Sequence, residues 1–173
     1  MPQLNMVEVA HRLDTSNTAI SIADAQQPDM PLCYVNPAFN QITGYAADEV
    51  LGRNCRFLQS DLDNEDARAQ MRKALARGAS AQIVFRNCRA DGSAFNNLVI
   101  IEPLKDRDDR LVYVVGAQFV IDRETRPEKA QDTGRSIVAE IDKLLDLNER
   151  LRATSRQALA RSMAATVKLW LDR

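Results

Sequence analysis

Eight consecutive residues, Gly52-Arg53-Asn54-Cys55-Arg56-Phe57-Leu58-Gln59, concentrate the reactive chemistry of this chain. They set one thiol, Cys55, between the amide of Asn54 and the guanidinium of Arg56, with the amide of Gln59 four residues on. An amide both donates and accepts hydrogen bonds, and a guanidinium is a fixed cation with a planar donor fork. The arrangement therefore suits a polar, anionic ligand held beside sulfur. An inert buried thiol is the ordinary alternative. Hydrolytic use of Cys55 would need a base, and the single histidine, His11, sits in a predicted N-terminal helix with no motif around it, where it reads as a solvated surface residue.

Further polar groups lie downstream. Arg72 follows Arg68 by one turn of a predicted helix. Guanidiniums converging from a loop and a helix can grip a phosphate through charge-assisted, bidentate bonds, although an isolated helical arginine more often faces solvent. Asn87, Asn97 and Gln118 fall in three successive predicted strands. If they face the core they need partners, which a heteroaromatic ring with alternating donors and acceptors would supply; otherwise they point outward. Asn96 alternates with Asn97 and takes the opposite face. Ile22, Leu32, Phe57, Leu58, Leu75, Ile83, Phe85, Val99 and Ile101 are candidate apolar walls, each equally at home in an ordinary core.

The elements that must position these groups read as follows. Residues 5–14 carry a loose helical stripe. Residues 18–23 alternate as a strand, 24–31 form a turn-rich loop, and 32–35 read as a second strand. Asn36-Pro37 starts a helix that Gly44 stops, and one more helical turn precedes Gly52. Asn64 reads as the cap of a helix over 65–77, closed by Gly78. Three long strands follow, 81–89, 94–104 and 111–121, the first two joined at Asp91-Gly92. Two strands, short helices and a meander define an α+β order with one antiparallel sheet. Residues 122–134 read as a charged linker. Beyond them come two amphipathic helices, about 135–152 (Ile137, Ile141, Leu144, Leu151) and 155–172 (Leu159, Met163, Val167, Trp170), with Thr154 and Gln157 as a capping box between them.

At 173 residues the chain suits one domain with an appendage. Its net charge of −1 argues against nonspecific binding to nucleic acid or an acidic membrane. No apolar run reaches 18 residues and no signal peptide opens the chain. Three scattered cysteines and one histidine offer no metal site, and fit reduced thiols in the cytoplasm.

The octet GRNCRFLQ, together with Arg-Asn-Cys-Arg at 86–89, Phe-Asn-Asn-Leu at 95–98 and Gly-Ala-Gln-Phe at 116–119, resembles the LOV family, the blue-light-sensing branch of the PAS domains. The resemblance covers about residues 18–121. It implies a PAS fold, a five-stranded antiparallel sheet with helices on one face, plus an N-terminal helical cap (1–17) and, after a linker at 122–134, a C-terminal helical extension (135–173). It implies FMN as cofactor, with Arg56 and Arg72 on the phosphate, Asn54 and Gln59 on the flavin or ribityl chain, Asn87, Asn97 and Gln118 on the ring, and Cys55 as the sulfur that bonds reversibly to flavin C4a under blue light. Nothing is turned over, so the expectation is a sensor rather than an enzyme. It resembles the bacterial short LOV proteins, which signal through helical extensions without an effector domain. The expected partners are a second copy of the chain, in a homodimer altered by light, and a downstream protein not identified by sequence. Two other readings stand beside it: a flavin-binding, redox-sensing PAS module in which Cys55 is oxidised, and a dimerisation protein with a fortuitous pocket.

Overall fold

The computed structural model describes residues 6–106, 108–121 and 157–169. Its centre is a five-stranded antiparallel sheet in the order β2-β1-β5-β4-β3, built from β1 (Ala19–Asp24), β2 (Leu32–Val35), β3 (Ala81–Cys88), β4 (Ala94–Lys105) and β5 (Leu111–Val120). The β1–β5 pairing, which sets Ala19 opposite Gln118 and Ser21 opposite Gly116, joins the first and last strands at the sheet's centre. The helices α2 (Pro37–Thr43), α3 (Ala47–Val50) and α4 (Glu65–Arg77), with a 3-10 turn at Cys55–Gln59, connect β2 to β3 and cover one face. Gly92, at φ +85°, makes the β3–β4 turn in a conformation that side chains resist.

Side chains alternate across a strand, so each strand serves two layers. Ala19, Leu32, Phe85, Ile101 and Val114 turn toward α2–α4. Ile20, Ile22, Leu104 and Val115 turn the other way, where helix α1 (Met6–Leu13) contributes Val9 and Leu13. A final helix, α5 (residues 157–169), packs on this second face through Ala160, Ala164 and Val167. Full burial of a side chain such as Val167 stabilises by roughly 1.5–3 kcal/mol, and the alanines let the helix approach the sheet closely. Arg161 on α5 faces Glu102 on β4, N to O 3.7 Å. The expected stripe is thus displaced: Met163 and Val167 face the sheet, but Leu159 is exposed and Ala160 and Ala164 take its place. The expected helix at 135–152, the linker, the Thr154–Gln157 box and Trp170 involve positions outside the described residues.

Two buried asparagines join the layers. Asn36 Oδ1 accepts from the backbone N–H of Ile20 (2.8 Å) and Phe39 (3.1 Å), so it caps α2 and fixes β1 at once. Its Nδ2 donates to the carbonyls of Thr18 (2.8 Å), Leu13 (3.2 Å) and Ser16 (3.4 Å), tying down the end of α1. Asn64 corrects an expectation. It precedes α4, but its side chain makes no cap; it bonds the backbone N–H and C=O of Arg86, each at 2.8 Å. The amide thereby acts as one rung of an extra strand on the edge of β3, while Asp63 Oδ1 accepts from Glu65 N–H at 3.2 Å.

Candidate functional site

A cavity of about 550 Å³ lies between the inner face of the sheet, α4 and the Cys55 turn. A smaller one, about 120 Å³, adjoins it deeper in, toward Ser21, Gly116 and Gln118. Cys55, Asn54, Met30, Met71 and Val99 border both. The larger volume is of the size that holds a small organic cofactor.

Its mouth is charged. Arg56, Arg68 and Arg72 line it, the first from the 3-10 turn and the others one turn apart on α4. Arg56 Nη2 pairs with the Asp29 carboxylate, and Asn54 Nδ2 donates to the Asp29 carbonyl. Asn54 Oδ1 in turn accepts from Arg56 N–H at 3.0 Å, starting the 3-10 turn. Asp29 and Met30 both hold left-handed backbone, φ +69° and +47°, which bends the β1–β2 loop over the opening.

The walls carry unsatisfied amides. Asn97 Nδ2 donates to Asn87 Oδ1 at 2.9 Å, and Asn87 Nδ2 to the Arg86 carbonyl at 3.2 Å. Gln118 Nε2 donates to Ser21 Oγ at 2.8 Å. Asn97 Oδ1, Gln118 Oε1 and Gln59 Oε1 are buried without a hydrogen-bond partner. Orphaned buried polar atoms are costly and scarce in folded proteins, and these, Gln59 and Asn97 on the larger cavity and Gln118 on the adjoining smaller one, fit a ligand with a polar ring edge. An anionic group at the mouth would complete the set. The residues present therefore fit FMN.

Cys55 opens the 3-10 turn and is partly exposed toward the cavity. Burial pushes its thiol up to about 11, so sulfur keeps its proton at neutral pH. No base stands ready, since His11 is exposed on α1, which packs on the opposite face of the sheet. Among the described residues no cluster of metal-ligating side chains occurs.

The structure brings Asn54, Cys55, Arg56, Gln59, Arg72, Asn87, Asn97 and Gln118 together, with Leu32, Phe85, Val99 and Ile101 as apolar walls. Four wall expectations need correcting, and one is Ile83, which packs with Ala67 and Phe85 and borders neither cavity. Ile22 alternates with Ser21 and faces α1, so it belongs to the outer core. Leu58 is buried with Phe39 and Val50 and borders neither cavity, because the 3-10 turn directs it beneath α2. Its neighbour Phe57 also lies outside, edge-on to Tyr45 with centroids 5.1 Å apart. Sequence reasoning missed Ser21, Met30, Met71 and Gly116 as lining residues. Strand alternation already placed Gly116 in line with Gln118, whereas Ser21 needed the β1–β5 register; nothing in the sequence singled out Met30 from its loop.

Comparison with known proteins identifies the family. Residues 17–120 match the PAS domain family. Over 95% of both chains the structure superposes on the Rhodobacter sphaeroides LOV protein, with 35% identity and a TM-score of 0.66. The chain belongs to the LOV branch of the PAS domain family. A blue-light-activated histidine kinase 2 of Erythrobacter litoralis is 39% identical over 69% of this chain and 34% of its own length. An RNA-binding light-oxygen-voltage receptor is 40% identical over 67% of this chain and 33% of its own, with a TM-score of 0.63. The chain spans only 22% and 34% of the first two curated relatives it matches. One of these neighbours is described as RNA-binding, so the expected absence of a nucleic-acid partner is not established by these relatives.

Proposed function

We propose that this chain is a blue-light photoreceptor that binds FMN and signals through its helical extensions. The orphaned amide oxygens of Gln59, Asn97 and Gln118, ringed about the two adjoining cavities that Cys55 borders, carry this reading. Bound flavin supplies light absorption and an electrophilic carbon, C4a, with which a sulfur can form a reversible bond. Arg56 and Arg72 hold the phosphate, and Arg56 gives up its pairing with Asp29 to do so. Asn54 and Gln59 hold the ribityl chain, while Asn87, Asn97 and Gln118 bind the ring edge. Leu32, Phe85, Val99 and Ile101 keep water from the sulfur. Because burial holds Cys55 as a neutral thiol, this residue would bring both sulfur and proton to a bound flavin, giving up its S–H bond as sulfur bonds to C4a and the proton goes to the adjacent N5. Gln118, an amide that can both donate and accept, would then have to exchange its hydrogen bonds at that ring edge.

The output passes from Gln118 to its neighbour on β5, Ala117, the residue before it, which packs against Ala160 of α5. Light then alters how the extensions hold a second copy of the chain, in a homodimer, and through it a downstream protein partner. The redox-sensing alternative is disfavoured by the raised thiol, since oxidation needs thiolate. An absorption spectrum before and after blue light tests the reading. The purified protein should be yellow, bleach on illumination and recover in the dark. Cys55→Ser should keep the colour and lose the bleaching. Bleaching that persists in Cys55→Ser refutes the role of Cys55. Light scattering in dark and light tests the dimer, and a monomer in both at tens of micromolar removes it.

A further inference from the structure

Ser21 occupies a position that the proposed photochemistry leaves without a role, yet its hydroxyl accepts a hydrogen bond from the Gln118 side chain. The two residues sit on neighbouring strands, β1 and β5, both almost wholly buried (5% and 3% exposed) on the inner face of the sheet. Gln118 Nε2 donates to Ser21 Oγ at 2.8 Å while Oε1, buried and unpartnered, is left for the cavity. Room for this pair comes from Gly116, which stands opposite Ser21 in the β1–β5 register and two residues before Gln118: a Cβ there would lie 2.9 Å from both Gln118 Nε2 and Ser21 Oγ. Tighter than real Cβ contacts allow, that distance makes the bond and the glycine one device.

A hydroxyl differs from every other small partner in one respect. It accepts from an N–H or donates to a carbonyl by rotating about a single bond. We infer that Ser21 is a positioning residue for Gln118, a reversible counterpart that keeps the amide bonded in either of its two end-for-end orientations. With Nε2 toward Ser21, Gln118 offers the cavity an acceptor; with Oε1 toward Ser21, it offers a donor. An apolar side chain at position 21 would leave one end of the amide unsatisfied in both states and remove the device. The inference rests on the reading of the cavity as a flavin site, since a ligand atom that changes between acceptor and donor is what would call on both orientations.

The test compares wild type with Ser21→Ala, Ser21→Val, Ser21→Thr and Gly116→Ala. In flavin-free protein, the Gln118 side-chain NH2 resonances should be protected from solvent exchange in wild type and Ser21→Thr, and lose protection several-fold in the alanine and valine variants. In FMN-loaded protein, the dark-minus-light infrared band of the Gln118 carbonyl, isolated by labelled glutamine, should shift in Ser21→Ala and return in Ser21→Thr. Dark recovery should change by roughly two- to ten-fold, the size of one hydrogen bond. Gly116→Ala should reproduce the Ser21→Ala spectrum by forcing the pair apart. Identical amide protection and an identical infrared band in wild type and Ser21→Ala would overturn the inference while leaving the flavin reading intact. Failure of wild type to bind flavin or to bleach would overturn both.

Discussion

Replacing Asp29 with Asn should tighten FMN while leaving riboflavin alone. The Asp29 carboxylate stands at the cavity mouth, paired with the arginine proposed to hold the phosphate, and both side chains are more than half exposed (57% and 58%). An exposed pair of this kind is worth at most about 1 kcal/mol, so freeing Arg56 destabilises the protein little. The larger effect is on the ligand. A carboxylate about 5 Å from a phosphate of roughly −1.5 to −2 charge, with a dielectric near that of water, repels it by about 1.2–1.7 kcal/mol. Removing that charge should raise FMN affinity by roughly eight- to seventeen-fold at low salt. Screening over about 8 Å at physiological ionic strength should reduce the gain to about two- to five-fold. The backbone does not confound the experiment, since Asn tolerates the left-handed φ of +69° at least as well as Asp. Fluorescence-quenching titrations of flavin-free protein with FMN and riboflavin, at two salt concentrations, measure all three numbers. An equal change for both flavins, or weaker FMN binding, would refute the placement of the phosphate beside Arg56.

Other outcomes follow from the same geometry. In flavin-free protein, alkylation of Cys55 by a neutral reagent should rise until about pH 11; a half-maximum near pH 9 would show that burial does not govern this thiol. Cys33 is also pushed up to about 12, by burial first and then by the charge of Asp24. Both folded thiols keep protons that the unfolded chain loses above about pH 9, so folding stability should fall as pH rises from 9 toward 11, by urea denaturation. Asn36→Ala removes a side chain holding five backbone groups and should lower stability by roughly 2–4 kcal/mol in the same assay; a loss below 1 kcal/mol would mean water replaces the bonds. Val167→Asp, at a position with no solvent exposure, should detach α5, seen as lost hydrogen-exchange protection over 157–169, while flavin absorption stays unchanged.

Much of this was legible before any coordinates, because the informative signals are local. Pro37 starts α2, Gly44 and Gly78 end helices in left-handed backbone, and Asp91-Gly92 makes a hairpin; each needs only its neighbours. The cysteine octet placed the polar cluster for a similar reason. Failures came where position depends on long-range pairing. Ile22 and Ser21 differ by one step along β1, and only the β1–β5 register and the location of α1 decide which faces the cavity. Asn64 had the type and place of a cap, yet the exposed edge of β3 competes for the same amide and wins. Leu159 looked like a contact residue because it is large. The sheet beneath α5 favours alanines, which let the backbones come close, and size misleads where proximity is what counts.

The alternation along β5 has a practical consequence. Val114, Gly116 and Gln118 border the inner cavity, whereas Val115 and Ala117 belong to the core under α1 and α5. One strand therefore presents two independently editable surfaces, separated by a single peptide unit. Substitutions at 114, 116 and 118 should tune colour and the lifetime of the lit state; those at 115 and 117 should tune how strongly the message is passed on. An engineer could thus adjust the clock and the volume of such a switch separately, by choosing the parity of the residue to change.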